Sequence, residues 1–214
     1  MQPIWIAGTA PLRVLAIGAH PDDIEIGAGG TIMRLADEGR IAAVTWVVFS
    51  GDPTRAAEAR ASADQFLAAC PSTSVLVHDF RDGYLPYEGG AVKERVEELK
   101  TVEPDLILTH RLEDRHQDHR LLAELTWNAF RDHVVLEYEI PKYDGDVGPM
   151  NTYAELSEPT VRRKLDLLMA GFPSQLGRPW FREETFAATL RLRGMECNAG
   201  SGYAEAFTAR KLKF

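Results

Sequence analysis

Short apolar runs that alternate with amphipathic stretches constrain the fold of this chain more than any other feature. The runs RVLAIG at 13–18, IAAVTWVVF at 41–49 and DLILT at 105–109 are typical of buried strands. Further strands are predicted at 74–77 and 134–138. Strands that alternate with helices form βαβ units, so the chain is predicted to be α/β, with a Rossmann-like, open, mostly parallel sheet and helices on both faces.

The segments between these strands carry helical signals. After Gly27–Gly30, apolar residues recur at helical spacing, and Gly39 stands where a helix would end. Close packing against the start of this helix is the expected role of Gly29 and Gly30. Thr54 is predicted to cap the next helix. These two helices and the later ones are predicted at 31–39, 55–69, 91–100, 118–130, 158–170 and 183–193.

The pattern changes after Ile140. The stretch PKYDGDVGPMN at 141–151 is rich in Gly, Pro and Asp and predicts a long loop. A length of 214 residues favours one domain over two, so residues 1–214 are interpreted as a single domain. Its last third is predicted to be a C-terminal extension that folds over one end of the sheet.

Charge and composition exclude several classes of protein. A net charge of −8 repels phosphate backbones, which argues against a nucleic-acid binder. Cys70 and Cys197 are too few and too distant for a disulfide framework, so both are expected to be reduced thiols. The N-terminal stretch has no basic region, and Pro11 and Arg13 interrupt it, which argues against a signal peptide. No apolar run predicts a membrane span, and a cytoplasmic protein is expected.

Two polar segments follow predicted strands. AHPDD at 19–23 comes directly after the first strand, and HQDH at 116–119 lies in the loop after the fourth. In an open parallel sheet, ligands bind beyond the carboxyl ends of the strands. The two segments are therefore expected to converge on one site at that edge. His110 is near enough to lie behind such a site, although a satisfied residue at a strand end is the simpler interpretation.

A metal centre is one interpretation of these segments. His20, Asp23 and His119 would supply two imidazoles and one carboxylate, which leaves a zinc ion with an open position for water. Water bound in this way can attack a carbonyl near neutral pH. Asp22 lies beside Asp23 without sharing its direction, and is therefore a candidate general base.

The second segment also offers two residues for catalysis. His116 is three residues before His119, so it can share a helix face with it and stabilise an oxyanion in its protonated form. Asp118 is predicted either to hold His116 in its charged form or to cap the helix that begins there.

Other interpretations compete with this one. His-Pro-Asp-Asp can form a simple turn with an Asx hydrogen bond. Two histidines and one carboxylate also describe the site of non-haem iron enzymes. A binding module on a retired enzyme fold is a third alternative. Asp22 and His116 favour hydrolysis over these, because neither an oxygenase nor a binding module needs a base beside the metal.

The motifs also resemble those of a known family. AIGAHPDDIEIGAGGTI followed by a helix, and THRLEDRHQDHR before another helix, resemble the LmbE-like or PIG-L (GlcNAc-PI de-N-acetylase) family of zinc-dependent N-deacetylases. Arg55 with Glu58, the pair Ser174-Gln175 and the closing segment RLRGMECNAGSGYAEAF resemble further parts of its pattern. The resemblance thus extends over most of the chain.

The resemblance implies the same roles at the same positions. The implied Zn²⁺ ligands are His20, Asp23 and His119. The implied catalytic residues are Asp22 as base, His116 at the oxyanion and Asp118 as the residue that orients His116. The implied substrate contacts are Arg55 and Arg115. Two departures stand out: Gln117 replaces a common proline, and Asp114-Arg115 stands where some members have a tyrosine.

The implied reaction is hydrolysis of the acetamide of an N-acetylglucosamine-type amino sugar or its conjugate, with release of acetate. An amidase of a thiol-glycoside conjugate and a non-haem iron enzyme with the same ligands are the alternatives. The implied partner is a small acetylated molecule. Related enzymes often assemble, so the resemblance allows a homo-oligomer, whereas the residues themselves leave the oligomeric state open.

Overall fold

Within residues 10–213, the part of the chain that the computed structural model describes, seven strands form one sheet in the order β3-β2-β1-β4-β5-β7-β6. In chain order the strands are β1 Leu12–Gly18, β2 Ile41–Ser50, β3 Thr73–Phe80, β4 Leu106–His110, β5 Val134–Tyr138, β6 Thr152–Glu155 and β7 Ala204–Ala209. The prediction about the N-terminal stretch concerns residues that lie largely outside this described part.

Helices cover both faces of the sheet. They are α1 Asp23–Asp37, α2 Pro53–Phe66, α3 Gly89–Glu98, α4 Gln117–Ala129, α5 Glu158–Gly171 and α6 Glu183–Glu196. Side chains along β1 alternate between the faces, as a pleated strand requires. Val14 and Ala16 join the core formed with α1, α2 and α5, whereas Leu15 and Ile17 join the core formed with α3 and α4. The predicted α/β class is therefore confirmed.

Strands β1 to β5 are parallel, and their order reverses beside β1. β1 pairs with β2 on one side and with β4 on the other. The chain runs outward from β1 to β3 on one side and from β4 to β5 on the other. The carboxyl ends of β1 and β4 are consequently neighbours, which is the position where open α/β sheets bind ligands.

The last third of the chain corrects one prediction. It does not only fold over an end of the sheet, because it also extends the sheet by two strands. β7 pairs antiparallel with β5, with Tyr138 opposite Phe207, and β6 pairs antiparallel with β7. The predicted loop at 141–151 ends where β6 begins, at Thr152. The sheet is mixed but mostly parallel, as predicted.

The first helix begins earlier than its sequence signals indicate. α1 starts at Asp23, so the glycines at 27–30 lie inside the helix and do not lead into it. A Cβ atom on Gly27 would overlap the ring of Tyr138, and one on Gly29 would overlap Phe66. The predicted packing role of the glycines thus applies to the body of the helix, at the contact with β5 and α2.

The start of α2 also differs from its prediction. Asp52, rather than Thr54, is the N-cap, and its carboxylate accepts a hydrogen bond of 2.9 Å from the backbone amide of Arg55. Pro53 occupies the first turn, where a missing amide hydrogen has no cost. Among the described helices, none is both long enough and apolar enough to cross a membrane.

Candidate active site

The two polar segments meet at the neighbouring carboxyl ends of β1 and β4. AHPDD connects β1 to α1, and HQDH begins α4 just beyond β4. Asp22 lies before α1 with φ of 100°, a left-handed conformation that aspartate and asparagine adopt more readily than most residues. His116 is the N-cap of α4. The two segments therefore lie together at one edge of the sheet, as predicted.

Three donor atoms face one another at this point. His20 Nδ1 lies 3.1 Å from His119 Nε2 and 3.3 Å from Asp23 Oδ2, and the latter two atoms are 3.4 Å apart. All three side chains are buried. Bonds of about 2.0–2.1 Å place the ligand atoms of a tetrahedral ion roughly 3.3 Å apart. The spacing of these atoms and their chemistry therefore fit a divalent metal such as zinc.

The second ring nitrogen of each histidine is held by a carboxylate. His119 Nδ1 is 2.8 Å from Asp114 Oδ2. His20 Nε2 is 3.2 Å from Asp118 Oδ2 and 3.1 Å from Asp82 Oδ1. Such partners orient metal-binding histidines and make them better donors. Burial opposes the charged ring of His20, yet Asp23, Asp118 and Asp82 together raise its pKa well above the ordinary value.

Sequence reasoning assigned no role to Asp114 or Asp82. The first has a usable signal, since it is a carboxylate five residues before His119 in the same polar loop. Asp82 has none, because it reaches His20 from the loop after β3, far away in the chain. Only the tertiary structure brings that loop to this edge.

Asp118 does not take the position predicted for it. Its carboxylate accepts hydrogen bonds from the backbone amides of Gly83 at 2.7 Å and Leu85 at 3.1 Å, and it contacts His20. Those are the hydrogen-bond partners that its side chain has among the described residues, so it orients His20 rather than His116. It does not cap α4 either, because His116 Nδ1 accepts from the Asp118 amide at 3.3 Å.

The pKa values of the adjacent carboxyl groups of Asp22 and Asp23 are shifted in opposite directions. Burial raises the pKa of Asp22 to about 6, against the opposing effect of Lys142 and Arg55. Asp23 is also buried, but Lys142 and the surrounding histidines hold its pKa well below the ordinary value. Oδ2 of Asp22 contacts Arg55 Nη2 at 3.1 Å, whereas Oδ1 has no hydrogen-bond partner among the described residues. One carboxylate therefore stays ionised while the other can exchange a proton near neutral pH.

His116 borders the same cluster. Its ring centroid is 4.8 Å from that of His20 and 4.5 Å from that of His119. Burial lowers the pKa of His116, and the nearby charges of His20 and Lys142 lower it further. These effects disfavour the protonated form that was predicted for His116.

Two more side chains complete the buried cluster. His110, at the end of β4, has Nε2 3.3 Å from Asp23 Oδ2 and stacks on His119 with 3.9 Å between ring centroids. Lys142 comes from the loop after β5, and its Nζ is 3.3 Å from Asp23 Oδ1. His110 was within reach of a sequence argument because of its place at a strand end. Lys142 was not, because nothing in its loop distinguishes it from a solvated lysine.

The cluster lies at the bottom of a cleft of about 740 Å³. The walls come from the loops after each of the strands β1 to β5, and from the segment after α5. The lining residues include His20, Asp22, Arg55, His116, Lys142 and Trp180. Arg55 thus lies where its predicted substrate contact requires. Arg115 is not among the residues that line the cleft. Its side chain is exposed, and its backbone amide donates a hydrogen bond to Asp146.

The Arg-x-x-Glu and Ser-Gln segments meet beside the cleft. Glu58 accepts a hydrogen bond from the backbone amide of Ser174 at 2.8 Å and one from its hydroxyl at 2.5 Å. One turn earlier on α2, Arg55 donates to the carbonyl of Pro21 and to Asp22. Helix α2 therefore connects the base of the cleft to its outer wall.

The fold and the site together define an enzyme of the α/β class whose chemistry lies where the strand order reverses. A sequence model of the PIG-L family, described as GlcNAc-PI de-N-acetylase, matches residues 15–130, more than half of the chain. The chain belongs to this family, as the motifs predicted. It is accordingly a hydrolase of the deacetylase class, which acts on an amide bond.

Individual proteins show the same likeness. An uncharacterized deacetylase of Escherichia coli K12, YaiS, is 29% identical over 136 residues, which cover 60% of this chain and 74% of that protein. The N,N'-diacetylchitobiose deacetylase of Pyrococcus horikoshii has a TM-score of 0.70 and 21% identity, over 92% of this chain and 83% of that one.

A solved structure with another activity shares the fold as well. The 4-carboxy-2-hydroxymuconate hydratase of Pseudomonas putida KT2440 has a TM-score of 0.73 and 20% identity, over 94% of this chain and 97% of that one. At sequence identities this low, the structural similarity supports the fold alone, and the reaction has to be inferred from the site.

Proposed function

We propose that this protein is a zinc-dependent N-deacetylase that hydrolyses the acetamide of an N-acetylglucosamine-type amino sugar or its conjugate. The observation that carries the proposal is the set of three facing donor atoms of His20, Asp23 and His119 with the buried carboxylate of Asp22 beside it. A metal site alone would not need that fourth group, whereas hydrolysis needs a base.

The proposed metal ligands are His20, Asp23 and His119. Two imidazole nitrogens and one carboxylate oxygen suit zinc, and three protein ligands are typical of catalytic zinc sites. When bound, such an ion polarises a carbonyl and lowers the pKa of water. Asp114 and Asp118 support the assignment, because each holds one of the two histidines through its other ring nitrogen.

Asp22 is the proposed base. It accepts a proton from the attacking water, whose oxygen bonds to the acetamide carbon. It then returns that proton to the nitrogen as the C–N bond breaks, which leaves acetate and a free amine. Asp22 is suited to this role because its pKa is raised towards neutrality and its Oδ1 has no partner among the described residues. Arg55 keeps the carboxylate in place through Oδ2.

His116 is the proposed stabiliser of the oxyanion. It lines the cleft, and its ring is next to those of His20 and His119. A neutral imidazole can still donate one hydrogen bond to developing negative charge, so the role does not require the charged ring. Asp118 acts through His20 in this proposal, and its predicted action on His116 is withdrawn.

The substrate is proposed to be a sugar of one or two rings with an N-acetyl group. The cleft volume of about 740 Å³ is within the range of small-molecule sites, and Trp180 supplies an aromatic wall. Arg55 remains a proposed substrate contact as well as a support for Asp22. Arg115 is not retained as a substrate contact, because it is not among the residues that line the cleft.

Acetate release tests the proposal directly. The metal-stripped and zinc-reloaded proteins are incubated with a panel that contains N-acetylglucosamine, N,N'-diacetylchitobiose and an N-acetylglucosaminyl thiol glycoside, and acetate and free amine are measured. Equal amounts of both products, with zinc required, are expected. The Asp22→Asn variant is the matched control, because asparagine tolerates the left-handed conformation at this position.

Iron-reloaded protein, a measurement of oxygen uptake and an unsaturated carboxylate in the panel extend the experiment to the alternatives. Turnover that needs iron and consumes oxygen would favour a non-haem iron enzyme and contradict the proposal. Addition of water to an unsaturated carboxylate, without acetate release from any acetylated compound, would indicate hydratase chemistry on the same fold. Release from the thiol glycoside alone would keep the mechanism and narrow the substrate.

A further inference from the structure

We propose that Lys142 is a positioning residue that limits Asp23 to one donor oxygen and thereby keeps a coordination position open at the metal centre. The inference rests on the proposed function, since it concerns the same centre. It assigns a role to the loop between β5 and β6, which the mechanism above does not use.

The two oxygens of Asp23 have separate partners. Oδ2 accepts a hydrogen bond of 2.7 Å from the backbone amide of His20 and faces the ring nitrogens of His20 and His119. Oδ1 does not share these partners: Lys142 Nζ at 3.3 Å is the hydrogen-bond partner it has among the described residues. The carboxylate is therefore divided into one oxygen turned to the donor cluster and one turned to the ammonium.

The ammonium is held firmly in this place. The side chain of Lys142 is 13% exposed, and that of Asp23 is fully buried. Nζ also lies 5.3 Å from the centre of the Trp180 ring, close enough for a cation–π contact. Separating a buried ion pair leaves both charges without compensation, which is strongly unfavourable. The contact between Lys142 and Oδ1 is therefore expected to persist while Asp23 binds an ion through Oδ2.

The consequence concerns the number of donors. A carboxylate can bind a cation through one oxygen or both. With Oδ1 engaged by Lys142, the protein supplies three donor atoms, and a catalytic zinc site needs a further position for water or substrate. Without the ammonium, Oδ1 is free to turn towards the ion as a fourth donor. The ion would then be held at least as tightly, because a nearby positive charge is also gone, but it would be a poorer catalyst.

Cobalt binding provides the test, because the visible absorption of Co²⁺ is strong in four-coordinate sites and weak in sites of higher coordination. Co²⁺ alone is titrated into the chelator-stripped wild type and into the Lys142→Met and Lys142→Arg variants, and affinity is measured by competition with a chelator. Lys142→Met removes the charge and keeps the length of the chain. Lys142→Arg keeps the charge and serves as the rescue variant.

We expect the wild type and Lys142→Arg to share one cobalt spectrum. Lys142→Met should bind Co²⁺ with equal or higher affinity, absorb more weakly, and lose kcat by about 10–100-fold, the usual effect of removing a residue that supports a metal ligand. KM should change little. A residue that only supports the fold would instead lower the melting temperature and leave the spectrum of the bound ion unchanged.

Two results would overturn the inference, and they are distinguishable. If Lys142→Met binds cobalt with the wild-type spectrum and retains kcat, Lys142 does not position Asp23, and the proposed metal centre still stands. If the wild type itself fails to bind Co²⁺, the proposed metal centre is wrong and the inference falls with it. Circular dichroism verifies folding, and Lys142→Gln replaces the methionine variant should that one not fold.

Discussion

Two groups of buried charges among the described residues differ in how their charges are compensated. At the carboxyl ends of β1 and β4, carboxylates outnumber the permanent cations. The buried or contacting acids there are Asp22, Asp23, Asp82, Asp114 and Asp118, and the cations are Lys142 and Arg55. Under the C-terminal extension, by contrast, buried acids and bases occur in matched pairs.

The matched pairs join the extension to the rest of the fold. Lys164 of α5 and Glu205 of β7 are 2.6 Å apart, and Glu205 also accepts from the backbone amides of Gly30 and Thr31 in α1. Arg193 of α6 forms two hydrogen bonds of 2.6 Å with Glu139. In both pairs the charges and the hydrogen-bonding groups have partners, so these contacts act on stability.

The difference separates structure from chemistry. Balanced pairs fix the position of secondary structure elements, and the charges of their members are already compensated. The unbalanced group carries excess negative charge, and one oxygen of Asp22 has no partner among the described residues. Burying this excess negative charge is unfavourable unless a bound cation compensates it. Clusters of this kind perturb the pKa values of their members, as is common at functional sites. Variants in the two groups should therefore fail in different assays.

Asp22→Asn is expected to give the largest effect. Acetate release should fall by about 10³-fold, within the range for loss of a general base and equivalent to about 4 kcal/mol of activation free energy. The melting temperature should stay level or rise, because a buried charge with an unpartnered oxygen is removed. Activity within tenfold of wild type, or a loss of stability like that of the pair variants, would break the distinction between the two groups.

Lys164→Met should come next, and it should act on stability alone. Loss of the ammonium leaves Glu205 buried and unpaired, which is expected to reduce the free energy of unfolding by about 3–4 kcal/mol in urea titrations. The folded fraction should retain kcat. Adding Glu205→Gln should recover part of the stability, since no buried charge is then unpaired. If the double variant is less stable than Lys164→Met, the pair does not act as a balanced unit.

Asp114→Asn should affect the metal more than the fold. The amide cannot support His119 as a carboxylate does, so zinc affinity in chelator competition should fall by about 10–100-fold, or roughly 1.4–2.7 kcal/mol. Unfolding of the metal-free protein should shift much less than in Lys164→Met. Unchanged zinc affinity would show that the contact between Asp114 and His119 is structural.

Ser157→Ala should give the smallest effect and serve as a baseline for the C-terminal half. The hydroxyl of Ser157 caps α5 by accepting a hydrogen bond from the amide of Thr160. Its loss should reduce the free energy of unfolding by about 1 kcal/mol. Zinc affinity and acetate release should not change, and a change in either would mean that the extension is coupled to the site.

Much of the fold was predictable, because the signals are local. Strand β5 lies at 134–138 as predicted, and helix α5 begins at Glu158 as predicted, with Pro159 in its first turn. The convergence of His20, Asp23 and His119 also followed from sequence, because the carboxyl ends of parallel strands share one edge of a sheet. The two antiparallel strands were missed, since their pairing depends on partners far away in the chain.

The sequence alone determined the class of fold, the family and the edge of the sheet where the site lies. The signals are the apolar runs at 13–18, 41–49 and 105–109 and the AHPDD and HQDH segments. The tertiary structure decided which groups reach that edge from elsewhere. Lys142 lies 119 residues from Asp23 in the chain, and Asp82 contacts His20 from a loop with no distinguishing pattern. Periodicity and motifs report what a residue does within its own element. Contacts between distant loops depend on how the packed elements place them, so the positions of Lys142, Asp82 and Asp118 could be learned only from the folded molecule.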